Sequence, residues 1–167
     1  MKYTCIKTVA IYLLATLPLL ANASTHKVKI THSVMVGDGI AKFIPEGFDA
    51  QKIPSFAIEK EPREQGALPA DWVLVPEFSL TDGKANASLT VPEGTSIYGG
   101  GEVTGSLLRN GKTIKLWNTD SGAYGVDKGT RLYQSHPWMM GVRKDGTAFG
   151  ILFDTTWKAE LSSTESN

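Results

Sequence analysis

The residues best suited to chemistry form one run, Trp117-Asn118-Thr119-Asp120, and Tyr133 follows a short distance along the chain. Aromatic faces stack on sugar rings, and Asn and Asp side chains provide planar donors and acceptors for pairs of hydroxyl groups. The pattern therefore indicates a carbohydrate contact. From composition alone the alternative is better supported: Trp117 belongs to the core, and the polar residues after it are simply solvated.

The glycine run Gly99–Gly101 invites comparison with a phosphate-binding loop. Neither the dinucleotide-binding spacing nor the terminal Gly-Lys-Ser/Thr of a P-loop is present, and no helical pattern follows. We interpret these glycines as a bend or bulge where backbone packs closely between strands. Glu102, which follows the run, is then expected to be a buried acceptor for nearby backbone amides.

The three histidines do not predict a site. His26 and His32 are close in sequence, but no carboxylate cluster accompanies them, so no metal site is predicted. His136 precedes Pro137, and we expect it to lie in a loop and to satisfy backbone groups. No Gly-x-Ser-x-Gly elbow is present, and the sequence indicates no cofactor.

Residues 1–23 have the pattern of an export signal. Lys2 and Lys7 precede an apolar run from Val9 to Leu20, and Ala21–Ala23 resembles a cleavage site. A membrane anchor is the alternative, but a run of about 12 residues is short of the roughly 20 needed to span a bilayer. We therefore predict a mature chain that begins at Ser24 and has no membrane attachment after cleavage.

Charge and cysteine content limit the kinds of partner and the cellular compartment that are expected for this chain. Cys5, the one cysteine, lies in the leader, which leaves the mature chain without disulfides or thiol chemistry. Export without cystines fits a bacterial periplasmic or secreted protein. Removing the two leader lysines from 17 basic and 17 acidic residues leaves a net charge near −2. Neither nucleic acid nor an anionic membrane surface is expected as a partner.

The elements that position these residues are predicted to be strands. Apolar residues do not keep helical periodicity over three turns anywhere after residue 23. Asp82-Gly83, Asn110-Gly111 and Asp145-Gly146 each separate two apolar-rich segments, which is the signal of a β-hairpin. The flanking segments are 72–75, 78–80 and 87–91 for the first pair, 103–108 and 113–117 for the second, and 139–143 and 147–153 for the third.

Further strands are expected at the beginning of the mature chain. Segments 28–30 and 40–44 alternate and are joined around Gly37–Gly39, and a Pro-rich surface connection at 45–71 includes a short strand at 55–58. A Gly-rich loop is expected at 119–130, a position typical of binding residues. We predict one all-β domain over 24–167, an antiparallel β-sandwich.

The order of these segments resembles a known family. Tyr98–Glu102, Leu116–Asp120, Tyr133–Pro137 and Gly146–Asp154 follow the order and spacing of the N-terminal β-sandwich domain of glycoside hydrolase family 31. That family contains α-glucosidases, α-xylosidases and related α-transglucosylases. The resemblance implies a galactose mutarotase-like sandwich.

The resemblance also implies that catalysis belongs to another domain. In the family a (β/α)8 barrel follows the sandwich and supplies two aspartates, a nucleophile and a general acid/base, for retaining hydrolysis of α-linked oligosaccharides. No segment here is similar to the nucleophile motif, so no catalytic residue is assigned. The expectation is a fragment of an exported α-glycosidase, truncated before its barrel and inactive alone.

One contribution to the active site is carried over. In the family a loop of the sandwich reaches the barrel mouth, and its aspartate, which contacts substrate hydroxyls, falls on Asp120. Thr119, Asn118 and Trp117 are assigned to the same substrate-binding site, although Trp117 and Tyr133 are expected chiefly to hold the loop. A stand-alone carbohydrate-binding sandwich without catalysis is the alternative. An aldose mutarotase is disfavoured because the needed histidine and glutamate arrangement is lacking.

Overall fold

The computed structural model describes residues 24–49 and 63–164, and these ranges contain β-strands and two 3₁₀ turns but no α-helix. Every strand pair between them is antiparallel, which confirms the predicted all-β class. The predicted leader 1–23 and the predicted strand 55–58 lie outside the described residues. The strands are β1 (Thr25–Val28), β2 (Ile30–Gly37), β3 (Ile40–Pro45), β4 (Glu77–Thr81), β5 (Lys84–Ser88), β6 (Ser96–Gly101), β7 (Thr113–Leu116), β8 (Ser135–Val142), β9 (Ala148–Leu152) and β10 (Ala159–Ser162).

The strands pair into four small sheets in the part of the chain that is described. Their orders are β1-β4-β5, β2-β3, β6-β8-β9 and β7-β10. The β6-β8-β9 sheet and the β7-β10 pair face each other across the main core, which makes a sandwich of antiparallel layers.

Alternation of side chains explains that core. In β7, Ile114 and Leu116 are buried whereas Thr113 and Lys115 are exposed, because successive side chains of a strand point to opposite faces. Leu161 of β10, at 1% exposure, lies on the same side as the two buried β7 residues. Across the layer they meet buried residues of the other sheet, with partly buried β9 residues at the margin: Ile97, Met139, Phe149 and Ile151.

Two of the three predicted hairpins are confirmed. β4 and β5 pair across Asp82-Gly83, where φ is +51° and +72°, the two positive values that a type I′ turn requires. β8 and β9 pair across Asp145-Gly146, where the backbone N–H of Thr147 donates to Oδ1 of Asp145 at 2.9 Å. The Asp-Gly pairs therefore mark real strand reversals.

The hairpin predicted at Asn110-Gly111 is wrong. Residues 103–108 are not a strand, and β7 pairs with β10 instead. The reason is the side chain of Asn110, whose Oδ1 accepts from the N–H of Ile97 at 2.8 Å and whose Nδ2 donates to the carbonyl of Thr95 at 2.9 Å. The asparagine thus braces β6 instead of reversing two paired strands.

The interpretation of the glycine run is confirmed. The register of β6 against β8 shifts between Gly99 and Gly101, which is a bulge, and φ is positive at all three glycines. A Cβ on Gly99 would lie 3.0 Å from Cα of Met139, and one on Gly100 would lie 2.6 Å from Cδ1 of Ile114. Only glycine permits this approach of β6 to both layers.

The beginning of the chain is partly as predicted. β2 and β3 pair, which confirms the opening hairpin, but Lys29 interrupts the predicted strand 28–30, and β1 pairs with β4. Segment 72–75 is not a strand; in it Nε1 of Trp72 donates to the carbonyl of Leu74 at 2.9 Å. The surface connection is tied to β2 by a bridge between Met35 and Gly66.

Candidate functional site

The predicted site residues lie where three strands end close together. β6 ends at Gly101, which is opposite Ser135, the first residue of β8, and β7 ends at Leu116. The N–H of Glu102 donates to the carbonyl of Gln134 at 2.8 Å and extends the β6-β8 pairing by one bond. We refer to the polar and aromatic residues at these ends as the rim: Glu102, Trp117, Asn118, Thr119, Asp120 and Tyr133.

Asp120 and Tyr133 are directly bonded within the rim. The hydroxyl of Tyr133 donates to Oδ1 of Asp120 at 3.0 Å, and both residues are exposed. Accepting this hydrogen bond, Asp120 raises the pKa of Tyr133, and its negative charge acts in the same direction. The phenol therefore remains a neutral donor at neutral pH.

Glu102 holds the other end of the same tyrosine. Its Oε2 accepts from the backbone N–H of Tyr133 at 3.2 Å. The predicted role as acceptor for a backbone amide is confirmed, but the predicted burial is wrong, because Glu102 is exposed. The side chain follows the bulge at Gly101 and stays at the surface of the strand ends.

Asn118 and Thr119 are both engaged by neighbouring backbone. Oδ1 of Asn118 accepts from the N–H of Ser135 at 2.9 Å. Thr119 donates through its N–H to the carbonyl of Leu132 at 2.8 Å and through its hydroxyl to the carbonyl of Trp117 at 2.9 Å. These bonds fasten the segment after β7 to the segment before β8, and so fix the backbone on which Asp120 is mounted.

Trp117 is half exposed, at 50%, so the alternative that it belongs to the core is wrong. Nζ of Lys158 lies 5.7 Å from the centroid of its ring, within the range of a cation–π contact. Leu116 is opposite Ala159 in the β7-β10 pair. Their chain neighbours Trp117 and Lys158 are therefore brought together. The contact could not be read from the sequence, because nothing there indicates that β7 and β10 are neighbours.

The predicted loop 119–130 lies largely at the surface and includes two short turns. It contains 3₁₀ turns at Gly122–Tyr124 and Val126–Gly129. Thr104 bonds to its second turn twice: its N–H donates to the carbonyl of Gly129 at 3.0 Å, and its hydroxyl donates to the carbonyl of Lys128 at 3.1 Å. The segment after Glu102 thus supports the loop that begins at the rim.

Other site chemistries gain no support. Within 24–49 and 63–164, no three His, Cys, Asp or Glu side chains group as metal ligands would. His136 is an exposed residue of β8, so its predicted loop position is wrong; Pro137 is buried on the opposite face, and extended backbone suits the residue before a proline. In the same ranges no helix is long and apolar enough to cross a membrane.

Comparison with known proteins identifies similar chains. Residues 51–161 match the family model described as the glycosyl hydrolase 31 N-terminal galactose mutarotase-like domain. An α-glucosidase 2 of Bacillus thermoamyloliquefaciens is 48% identical over 66 residues, which cover 40% of this chain and 8% of that protein. An α-glucosidase of Hordeum vulgare is 42% identical over 80 residues, which cover 46% of this chain and 9% of that protein.

Among solved structures, a family 31 α-glucosidase from Bacteroides thetaiotaomicron shares 96% identity with a stretch that covers 46% of this chain and 13% of that chain, with a TM-score of 0.41. The matched stretches amount to less than a tenth of the two curated relatives.

Proposed function

Because the chain belongs to the family of glycosyl hydrolase 31 N-terminal galactose mutarotase-like domains, we propose that it is the non-catalytic N-terminal part of an α-glucosidase, and that its rim lines the entrance to the active site. The two curated relatives are both α-glucosidases, which supports an α-linked oligosaccharide as the substrate. The catalytic groups belong to a C-terminal barrel of the same longer polypeptide.

The observation that carries this proposal is the bonded pair of Asp120 and Tyr133. An exposed carboxylate fixed at a strand end offers acceptor oxygens to the hydroxyls of a neutral sugar, and such charge-assisted bonds are stronger than neutral ones. Trp117, half exposed beside it, provides an apolar face of the kind on which sugar rings stack. Asn118 and Thr119 complete the site and keep its backbone in place.

The rim acts by positioning and carries no chemistry of its own. A retaining glycosidase needs one carboxylate as nucleophile and one carboxylic acid as proton donor, on either side of the scissile bond. The two rim carboxylates are assigned neither role: Asp120 accepts from the hydroxyl of Tyr133 and Glu102 from its backbone N–H. Orientation of the sugar by such acceptors lowers the barrier for groups on another domain.

The enzyme acts outside the cytoplasm. The charged start, the short apolar run and the Ala21–Ala23 cleavage pattern support export to the periplasm or the medium. We expect cleavage after Ala23, and mass spectrometry of the protein recovered from the periplasmic fraction would show a mature N-terminus at Ser24. A full-length mass with the leader retained in the membrane fraction would contradict export.

The assignment of catalysis to another domain is tested by assaying two proteins with a chromogenic α-glucoside. They are the 167-residue chain and the longer polypeptide of which it is proposed to be the N-terminal part. We expect turnover with retention from the longer polypeptide and none from the chain alone. Turnover by the chain alone would refute the assignment of the chemistry to a barrel. Titration of the chain with maltose separates the alternative, because a stand-alone binding module would bind maltose without further domains.

A further inference from the structure

We propose that Tyr133 is a positioning residue for Asp120, whose carboxylate it holds in the one orientation that receives sugar hydroxyls. This inference rests on the proposed function, in which Asp120 contacts the substrate. It adds a residue whose task is to act on the carboxylate and not on the sugar.

Tyr133 is fixed at both of its ends. Its backbone N–H donates to Oε2 of Glu102, and its hydroxyl donates to Oδ1 of Asp120. The residue before it, Leu132, is 3% exposed and anchors the backbone in the core. Tyr133 as a whole therefore links the end of β6, through its backbone, to the segment after β7, through its hydroxyl.

A carboxylate benefits from such a partner because its terminal torsion is broad. The Cβ–carboxylate torsion of an aspartate has no sharp staggered minimum, so an exposed Asp samples many orientations. A hydrogen bond to Oδ1 limits that rotation and leaves Oδ2 directed to one region of space. Ordering the acceptor before the sugar arrives reduces the entropy lost on binding.

The donor role of the phenol is set by the same contact. The pKa of Tyr133 is raised chiefly by its hydrogen bond to Asp120, then by the charge of that carboxylate. Glu102 and Tyr124 add smaller effects in the same direction. The phenol thus keeps its proton over the neutral range, and the bond persists wherever Asp120 is ionised.

The hydroxyl of Tyr133 is not needed to hold the backbone of the rim. Thr119 bonds to Leu132, and Asn118 bonds to Ser135, independently of that hydroxyl. Removing it therefore frees the Asp120 carboxylate while the surrounding segment stays fastened. A purely structural tyrosine would instead change stability and leave substrate binding as it was.

The first experiment measures steady-state kinetics of Tyr133→Phe in the longer polypeptide with a chromogenic α-glucoside. We expect KM to rise by roughly 3- to 10-fold with kcat nearly unchanged, as for the loss of one net hydrogen bond. Tyr98→Phe is the control, since that tyrosine lies in β6 and donates no side-chain bond within the described ranges. Circular dichroism and thermal midpoints establish that both variants fold.

A double-mutant cycle with Asp120→Ala separates the two proposals. If Tyr133 acts through Asp120, Tyr133→Phe has no further effect once Asp120 is alanine. An unchanged KM in Tyr133→Phe, together with a clear effect of Asp120→Ala, would overturn the positioning role and leave the proposed function standing. No effect of Asp120→Ala would overturn both.

A second readout uses the 167-residue chain and needs no catalysis. Alkaline titration of tyrosinate absorbance in the wild type minus Tyr133→Phe isolates the ionisation of Tyr133. We expect Asp120→Asn to lower the pKa of Tyr133 towards its ordinary value, while Asp38→Asn leaves it unchanged. Equal titrations with and without the Asp120 charge would show that the two side chains are not bonded in solution, which would overturn the inference directly.

Discussion

The bulge in β6 that adjoins the rim can be tested by comparing two alanine substitutions at similar φ. Gly101 has φ +90° and Gly146 has φ +84°, so an alanine at either site takes on a comparable left-handed strain of roughly 1–2 kcal/mol. The two sites differ in the room available for a Cβ atom. A Cβ on Gly101 would overlap the carbonyl oxygen of Gln134 and lie 2.8 Å from the N of His136, whereas a Cβ on Gly146 meets nothing within 4 Å.

The difference between the two variants therefore isolates the close approach of β6 to β8. The obstructing atoms at Gly101 are backbone, which cannot rotate away, so overpacking adds roughly 1–3 kcal/mol to the loss in Gly101→Ala. In a domain of this size roughly 2–4 °C of Tm corresponds to 1 kcal/mol. We expect Gly101→Ala to melt below Gly146→Ala by roughly 2–12 °C, from the product of these two ranges.

The assay is thermal unfolding of the 167-residue chain followed by circular dichroism, with urea unfolding as the check on the free energy. Equal destabilisation of Gly101→Ala and Gly146→Ala would contradict this prediction, because it would show that the backbone contacts of a Cβ at Gly101 add no cost. A larger loss at Gly146 would refute it more strongly.

Three other predictions concern the core, the brace on β6 and the β8–β9 turn. Leu161→Ala should lower the free energy of unfolding by roughly 2–5 kcal/mol, measured in urea, because a side chain that is 1% exposed leaves a cavity. Asn110→Ala should cost roughly 1–3 kcal/mol in the same assay, since it removes the side-chain partner of the Ile97 N–H in β6 and of the Thr95 carbonyl just before β6, and unchanged stability would contradict the brace. Asp145→Ala should destabilise the chain at neutral pH, because the hydrogen bond from the Thr147 hydroxyl, first, and that from its backbone N–H hold the pKa of Asp145 below its usual range. A carboxyl with a depressed pKa contributes stability above its unfolded pKa and loses that contribution as the pH falls through its folded pKa. The difference in free energy of unfolding between variant and wild type should therefore disappear in acid. A difference that stayed constant with pH would contradict this prediction.

Local turn chemistry explains why much of the fold could be predicted. Asp82-Gly83 and Asp145-Gly146 reverse the chain between strands because their own residues provide the turn, and no distant contact is needed. Asn110-Gly111 has the same pattern, but its asparagine side chain bonds to the backbone of Ile97 in β6 and of Thr95 just before it. A dipeptide cannot indicate whether the side chain of its first residue faces solvent or a neighbouring strand, so the hairpin predicted at Asn110-Gly111 is wrong.

The site was predictable in part for a similar reason. The run Trp117–Asp120 could be singled out because its residue types suit sugars, and the structure brings it together with Tyr133 and Glu102. What could not be predicted is the direction of each contact. Glu102 is an acceptor at the surface and not in the interior, because it follows the last residue of β6, where the strand and its buried positions end.

The contact between Trp117 and Lys158 had no signal in the sequence either. It depends on the β7-β10 register, which joins strands far apart in the chain through an alternation pattern that many pairings would satisfy. Pairings of that kind follow from the packing of the whole core and not from any short segment.

If the rim positions the sugar through Asp120, the kinetics of Asp120→Ala in the longer polypeptide will show it. With a chromogenic α-glucoside we predict that kcat/KM falls by roughly 10- to 100-fold, as for the loss of a hydrogen bond to a charged group. Asp38→Ala, in the turn between β2 and β3, should retain wild-type kinetics. Wild-type kcat/KM in Asp120→Ala would contradict the account.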